Sequence, residues 1–341
     1  MSERPPLLEM RGMRSMMNSV RNFQIASPDA GRSVIRALGM LPVLLVVCIA
    51  FSLTSSRFVS VQNLVIVVQQ ASINLVLASG MTFVILTGGI DLSIGSVLSA
   101  AAMSAMLVSV DPTYAALAIP AALFAGMVFG LLNGSLIALV PLPPFIVTLG
   151  ALTAIRGCAR LLGNDTTVFN SNLGYAVIGD GYFFGVPWLT VIAICVVALS
   201  WFVLTKTVLG LRIYAIGGNQ NAARLTGINV KRVLIFVYAV SGLTAGLGGV
   251  MASARLYAAN GLQLGQTYEL DAIAAVILGG TSFLGGIGSI WGTAGGALLI
   301  AMLSNGLILS GVPDVWQSIA KGLIIIIAVA IDRFRTGGSR G

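Results

Sequence analysis

Ten apolar stretches separated by short polar loops occupy this chain, at about residues 37–54, 64–86, 92–110, 115–140, 145–162, 188–205, 233–253, 270–283, 290–310 and 315–331. A hydrocarbon core about 30 Å thick takes roughly 20 helical residues to cross. Lipid offers no partner to an unpaired backbone group, so such stretches cross it as helices. The expected fold is therefore all-α: an integral membrane bundle of about ten transmembrane helices, with the lipid bilayer as its main solvent. The eighth stretch is short for a full crossing and is expected to be broken or partly re-entrant. Composition agrees, because apolar residues make up 57% of the 341 and charged residues only 9%. A soluble domain carries about 25% charged residues on its surface.

Orientation follows from the basic residues of the short loops, which favour the cytoplasm. Residues 1–36 hold six Arg; the loop 206–232 holds Lys206, Arg212, Arg224, Lys231 and Arg232 with no carboxylate; the chain end adds Arg333, Arg335 and Arg340. All three are expected inside, so an even number of spans must lie on each side of the central loop. Six before and four after meet that condition. Asp111, Asp165, Asp180 and Asp314 then fall on the opposite side, with Arg57 and Arg255 as exceptions. The chain divides into a cytoplasmic tail (1–36), a transmembrane domain (37–335) containing the cytoplasmic loop 206–232, and a short cytoplasmic tail (336–341). The first tail is too long and polar for a cleaved leader, so the first span is expected to stay. Met10, Met13, Met17 and Val20 recur in it at helical spacing, which leaves a surface-lying helix and a disordered tail as alternatives. The net charge of +8 is concentrated in these flanking segments and reads as topology; no nucleic-acid partner is expected.

Histidine is absent, which removes imidazole bases and His-ligated zinc together. Cys48, Cys158 and Cys195 stand singly inside apolar runs, so neither a disulfide framework nor a metal site is expected. No Gly-x-x-x-x-Gly-Lys-Ser/Thr occurs, so the chain lacks that means of holding ATP phosphates.

Glycine organises the interior. Gly126, Gly130 and Gly134 recur every four residues, as do Gly242 with Gly246 and Gly292 with Gly296. Bare helix faces permit the close contacts that hold helices together in lipid. Packing within one chain is the plain reading, and a seam between two chains is the rival. Two glycine turns, Gly88-Gly89-Ile90-Asp91 and Gly285-Gly286-Ile287-Gly288, look alike and fall on the same side of the topology. An inverted repeat would set them on opposite sides, so they are taken as similar turns and nothing more.

In the central loop, Asn219 suits a helix N-cap and Gly227 the residue just past a helix end. About two turns lie between them. A short capped helix joined to the sixth and seventh spans can act as a lever for a soluble partner; a surface helix that ties down its loop is the alternative.

Polar residues within spans are costly and usually face the bundle interior or a water path. Asp91 follows a glycine turn, where a carboxylate favours a helix N-terminus; capping and a transport role are its two readings. Glu269 and Asp271 open the eighth span and invite the same capping reading, with contact to a soluble partner as the rival. Arg156 and Arg160, one turn apart, either snorkel to the outer interface or line a pathway entrance. Lys321 lies deeper, as a pathway or ion-pair candidate. Asn74, Asn133 and Asn305 are mid-span amides that either glue helices or receive solute hydroxyls.

Several motifs in order resemble the permease subunit of sugar-importing ABC transporters of the ribose/xylose type. They are Gly80-Met81-Thr82 through Gly88-Gly89-Ile90-Asp91-Leu92-Ser93-Ile94-Gly95-Ser96, Pro144-Phe145-Ile146-Val147-Thr148-Leu149, the central loop, and Tyr268-Glu269-Leu270-Asp271 through Gly279-Gly280-Thr281-Ser282. The resemblance covers roughly residues 40–335 and extends more distantly to branched-chain amino-acid permeases. It implies a homodimer in the bacterial inner membrane, a cytoplasmic P-loop ATPase that binds ATP–Mg, and a periplasmic sugar-binding protein. This chain would bring no cofactor and no catalytic residue of its own. The resemblance also implies that the central loop forms the ATPase-coupling helix, through Asn219, Gln220, Asn221, Ala222, Ala223, Arg224 and Gly227. Gln220 and Asn221 stand where that family commonly has glutamates, so docking would rest on packing, amides and Arg224. A permease fed by a binding protein needs little affinity of its own, so a weakly lined path at a two-chain interface is expected. The alternatives are the same machine for an amino acid or nucleoside, a stand-alone secondary transporter, and an integral membrane enzyme, to which the sequence offers no acid–base pair.

Overall fold

A computed structural model describes residues 41–337. Residues 1–40 and 338–341 lie outside it, and with them the helix considered for the first tail. The helices are α1 (Leu41–Thr54), α2 (Val61–Leu86), α3 (Ile94–Val110), α4 (Ala118–Leu139, after a 3-10 turn), α5 (Pro144–Leu162), α6 (Val177–Asp180), α7 (Trp188–Lys206), α8 (Val208–Gly218), α9 (Gln220–Leu225), α10 (Val230–Leu256), α11 (Tyr268–Leu278), α12 (Ile290–Leu309) and α13 (Asp314–Gly337). Two short antiparallel ribbons complete the described residues. β1 (Thr167–Phe169) pairs with β4 (Ala258–Asn260), and β2 (Tyr182–Phe183) with β3 (Val186–Pro187).

Every apolar stretch within the described residues contains a helix. Among the described residues, six segments suffice by length and composition to cross a membrane: α2, residues 115–139, α5, α7, α10 and α12. α1 and α3 are apolar but shorter, and α11 has 11 residues. The boundaries have local causes. Ser60, Thr207, Asn229 and Ser289 each accept a backbone N–H in the first turn of α2, α8, α10 and α12. Pro143–Pro144 opens α5 and Pro187 precedes α7, where the missing N–H is no loss.

α10 lies at the centre, packed on α2, α3 and α4. Its tightest neighbour is α4, through the glycines read from the sequence. A methyl group at Gly126 would overlap Gly242 O, one at Gly130 would overlap Tyr238 O, and one at Gly246 would press on Ala122 O. Gly292 and Gly296 of α12 meet Gly279 and Ala275 of α11 in the same manner. These glycines therefore serve contacts inside one chain.

The eighth stretch holds one short unbroken helix, α11, and the irregular chain lies just before it. α10 ends at Leu256, Tyr257 turns the chain with φ 53°, and β4 closes one end of the bundle. Residues 261–267 then run back beside α3 and α5 without regular structure. Ser99 Oγ donates to Gly261 O (3.1 Å), Arg156 Nη1 to Leu264 O (2.5 Å) and Arg156 Nη2 to Gly265 O (3.3 Å). Irregular backbone at this depth persists only where its carbonyls find protein donors, and Arg156 supplies them. α11 accordingly begins inside the bundle.

Candidate functional site

α8 and α9 meet at Asn219, which serves both. Its N–H donates to Ala215 O (3.1 Å) at the end of α8, and its Oδ1 accepts the Ala222 N–H (3.0 Å) in the first turn of α9. Gly227, with φ 83°, ends α9: Ile228 N–H reaches Ala223 O (3.1 Å) and Gly227 N–H reaches Arg224 O (3.0 Å). Both caps stand where the sequence set them. Ala223 is buried in a cluster with Ile213, Ile216 and Val230. Gln220, Asn221, Arg224 and Leu225 face outward, and Leu225 is 90% exposed. The short helix is thus anchored on one side and open on the other.

At the last turn of α8 the two glycine turns come together. Gly286 N–H donates to Leu86 O (2.9 Å), joining the turn before α12 to the end of α2. Gly217 lies on that bond; a methyl group there would overlap Leu86 O and Gly286 N. Gly285 and Gly286, at φ 86° and 74°, lie against Gly88 and against Gly217–Gly218. Tyr214 Oη donates to Gly288 O (3.1 Å) from one turn earlier in α8. Three segments distant in sequence therefore meet backbone to backbone. The two similar turns thus meet at one joint. Gly218 is a neighbour without that constraint, with nothing within 4 Å of a methyl placed on it.

A buried polar network ties α3 to the core. Asp91, 1% exposed, accepts the Ser93 N–H (3.0 Å), Ser93 Oγ (2.6 Å) and Ser241 Oγ (2.7 Å). Asn133 Nδ2 donates to Ser93 Oγ (2.9 Å), and Thr148 Oγ1 and Tyr238 Oη both donate to Ile90 O. The carboxylate itself joins Ser93, just before α3, to Ser241 of α10. Asn133 of α4 joins through Ser93 Oγ and Thr148 of α5 through Ile90 O. Among the described residues no side chain caps the first turn of α3 directly, so the capping reading of Asp91 gives way to one of helix tethering. Ser241 lies in the middle of α10, and Ser96 Oγ donates to Leu152 O in the middle of α5 (2.8 Å). α3 thus begins at mid-height of the bundle.

α11 begins beside it. Gly95 of α3 faces Gly265 O and Glu269 Oε2, and that buried carboxylate oxygen has no hydrogen-bond partner among the described residues. Asp271 instead pairs with Lys321 of α13 at 2.9 Å, both side chains mostly buried. Lys321→Met is expected to cost about 2 kcal/mol, because Asp271 loses its partner in a dry setting. A second substitution, Asp271→Leu, should restore at least half of that loss; thermal unfolding in detergent measures both. Arg160 lies at the surface, where Nε and Nη2 grip Asp165 at 2.6 and 3.0 Å. Its hydrogen bonds hold the Asp165 carboxyl below its usual range.

Two of the three mid-span asparagines bond other helices: Asn133 through Nδ2 as above, and Asn305 in a reciprocal amide pair with Asn63 (2.8 and 2.9 Å). Asn74 differs, since its Oδ1 is buried without a partner among the described residues. No cluster of metal-ligating side chains occurs among the described residues.

Sequence reasoning placed the capped helix of the central loop and singled out Asp91 and Lys321. It missed Gly217, Leu86, Ser93 and Ser241, because nothing in the spacing shows that two distant turns share one contact.

Residues 63–329 match the family described as branched-chain amino acid transport system / permease component. The chain belongs to this family of transport permeases. The permease is 41% identical to the ribose import permease protein RbsC of Haemophilus influenzae, over 94% of this chain and 98% of that one. With RbsC of Bacillus subtilis it shares 43% identity over 88% of this chain and 94% of the relative. The D-allose transport system permease protein AlsC of Escherichia coli K12 is 37% identical over 85% and 89% of the two chains. No solved structure matches the permease at a significant level.

Proposed function

We propose that this permease is the membrane-spanning subunit of an ATP-binding-cassette importer that moves a ribose-like monosaccharide. The observation that carries the reading is the joint at Gly217, which fastens an outward-facing two-turn helix to the ends of α2 and α12. A push on α9 would move the bundle as a mechanical unit. The relatives named ribose import permeases support the choice of cargo.

In this scheme ten apolar segments lie across the inner membrane, α3 and α11 as partial helices that begin inside the bundle and are continued by the irregular segments before them, and both chain ends lie in the cytoplasm. Two copies form the pore. A separate cytoplasmic ATPase binds ATP–Mg and docks on Gln220, Asn221, Arg224 and Leu225, while Asn219, Ala222, Ala223 and Gly227 shape the helix. A periplasmic binding protein delivers the sugar. Because Gln220 and Asn221 replace acidic residues, the docking face offers amides, one guanidinium and one leucine.

Radiolabelled ribose uptake into vesicles holding the permease, its ATPase and its binding protein tests this. Uptake should require ATP, and Arg224→Glu should lower it at least about tenfold, the loss of one charged contact, with membrane insertion unchanged. Uptake by the permease alone in ATP-free vesicles would favour a secondary transporter instead.

A further inference from the structure

The side-chain amides of α2 fall into two groups. Asn63 is fully committed, donating to Phe58 O (2.8 Å) and exchanging hydrogen bonds with Asn305. Gln70 and Asn74, four residues apart and so on one face of the helix, are different. Gln70 Oε1 and Asn74 Oδ1 are both buried and accept no hydrogen bond from any described residue. An amide that glues helices has a partner, as Asn133 and Asn305 do; these two have none. Both side chains are half-buried, but their oxygens are closed off, and leaving each such acceptor unpaired costs about 1–3 kcal/mol. A structural role gives no return for that cost.

Their height in the bundle is fixed by the neighbours. Asn63 meets Asn305 and Thr82 meets Thr293 (2.9 Å), so α2 and α12 run antiparallel with Gln70 and Asn74 between those contacts. Gly292 and Gly296 meet Gly279 and Ala275, which sets the first half of α11 at the same level. α2 packs directly on α11. The two amides therefore share the middle layer with the start of α11 and with the Asp271–Lys321 pair.

We propose that Gln70 and Asn74 form a two-step ladder of acceptors for the hydroxyl groups of a neutral polyol as it crosses the permease. The proposal rests on the importer reading above and specifies where its cargo is touched. A monosaccharide is rich in hydroxyl donors, which is what two unpaired carbonyl oxygens require. Two such contacts hold a solute weakly, which suits passage better than storage. In this conformation the oxygens are closed to water, so α2 must part from its neighbours during the transport cycle for a sugar to reach them.

The test uses the whole importer in vesicles, with radiolabelled D-ribose as the probe, and compares Gln70→Leu, Asn74→Leu and Asn74→Gln with the unsubstituted chain. Each leucine variant should move about tenfold less ribose per ATP hydrolysed, the loss of one neutral hydrogen bond. Asn74→Gln, which keeps the acceptor, should restore most of the yield. Thermal unfolding of the leucine variants should be unchanged or shifted upward, because an unpaired amide has been exchanged for an apolar group. Leucine variants with an unaltered ribose yield would overturn the proposal, as would a clear drop in their melting temperature, which would show that the amides bind other helices. Absence of ribose uptake by the unsubstituted importer would instead overturn the underlying sugar-importer reading, and this proposal with it.

Discussion

Gly217→Ala should reduce ATP-driven uptake at least about a hundredfold, while Gly218→Ala should leave it within about twofold. The two glycines are adjacent at the end of α8, and the same methyl group is added to each. At Gly217 it would overlap Leu86 O and Gly286 N; at Gly218 it meets nothing within 4 Å. Overpacking of this kind typically costs 1–3 kcal/mol and displaces backbone, so the chain still inserts but the joint opens. Opening the joint separates the lever from α2 and α12, and a push on α9 then moves only the loop. ATP hydrolysis should continue, uncoupled from sugar movement. A Gly217→Ala permease that inserts, melts normally and transports at the original rate would show that force does not pass through this contact.

The second large effect concerns Asp91. Asp91→Ala leaves the Ser93 N–H, Ser93 Oγ and Ser241 Oγ without their acceptor in a dry interior. At about 1–3 kcal/mol for each unpaired group, the loss should be about 3 kcal/mol or more, enough to lower the amount of folded permease sharply. Asp91→Asn retains one acceptor oxygen for Ser93 and offers an amide to Ser241, whose hydroxyl can turn to accept it. Uptake by Asp91→Asn should therefore stay within a few-fold of the original, with a modest fall in melting temperature. A stable Asp91→Asn permease devoid of uptake would show that transport uses the negative charge itself, beyond its part in holding helices together.

What could be read in advance followed from local rules. The apolar stretches gave the helices, because lipid forces backbone groups to pair within a segment. The short capped helix was legible because an Asn at one end and a Gly at the other each satisfy a stated need of a helix terminus. The shortness of the eighth stretch matches α11, which is 11 residues long and starts after an irregular segment. The joint at Gly217 was not legible: Leu86, Gly217 and Gly286 are far apart in sequence, and only the folded chain brings their backbones together. Ser93 and Ser241 were passed over because a serine in a span usually bonds its own helix, as Ser72 and Ser79 do. The separation of Asn74 from Asn133 and Asn305 was equally hidden, since three mid-span amides look alike until their partners are known.

Leu225 gives the most direct test of whether the bundle is worked from the cell interior, because 90% of its surface is open at the tip of α9. With Cys48, Cys158 and Cys195 replaced by serine, Leu225→Cys can be treated with a thiol reagent that does not cross membranes. Inside-out vesicles should label readily, intact spheroplasts should not, and added ATPase subunit should protect the site. Labelling confined to intact spheroplasts would place α9 outside the cell and contradict the account.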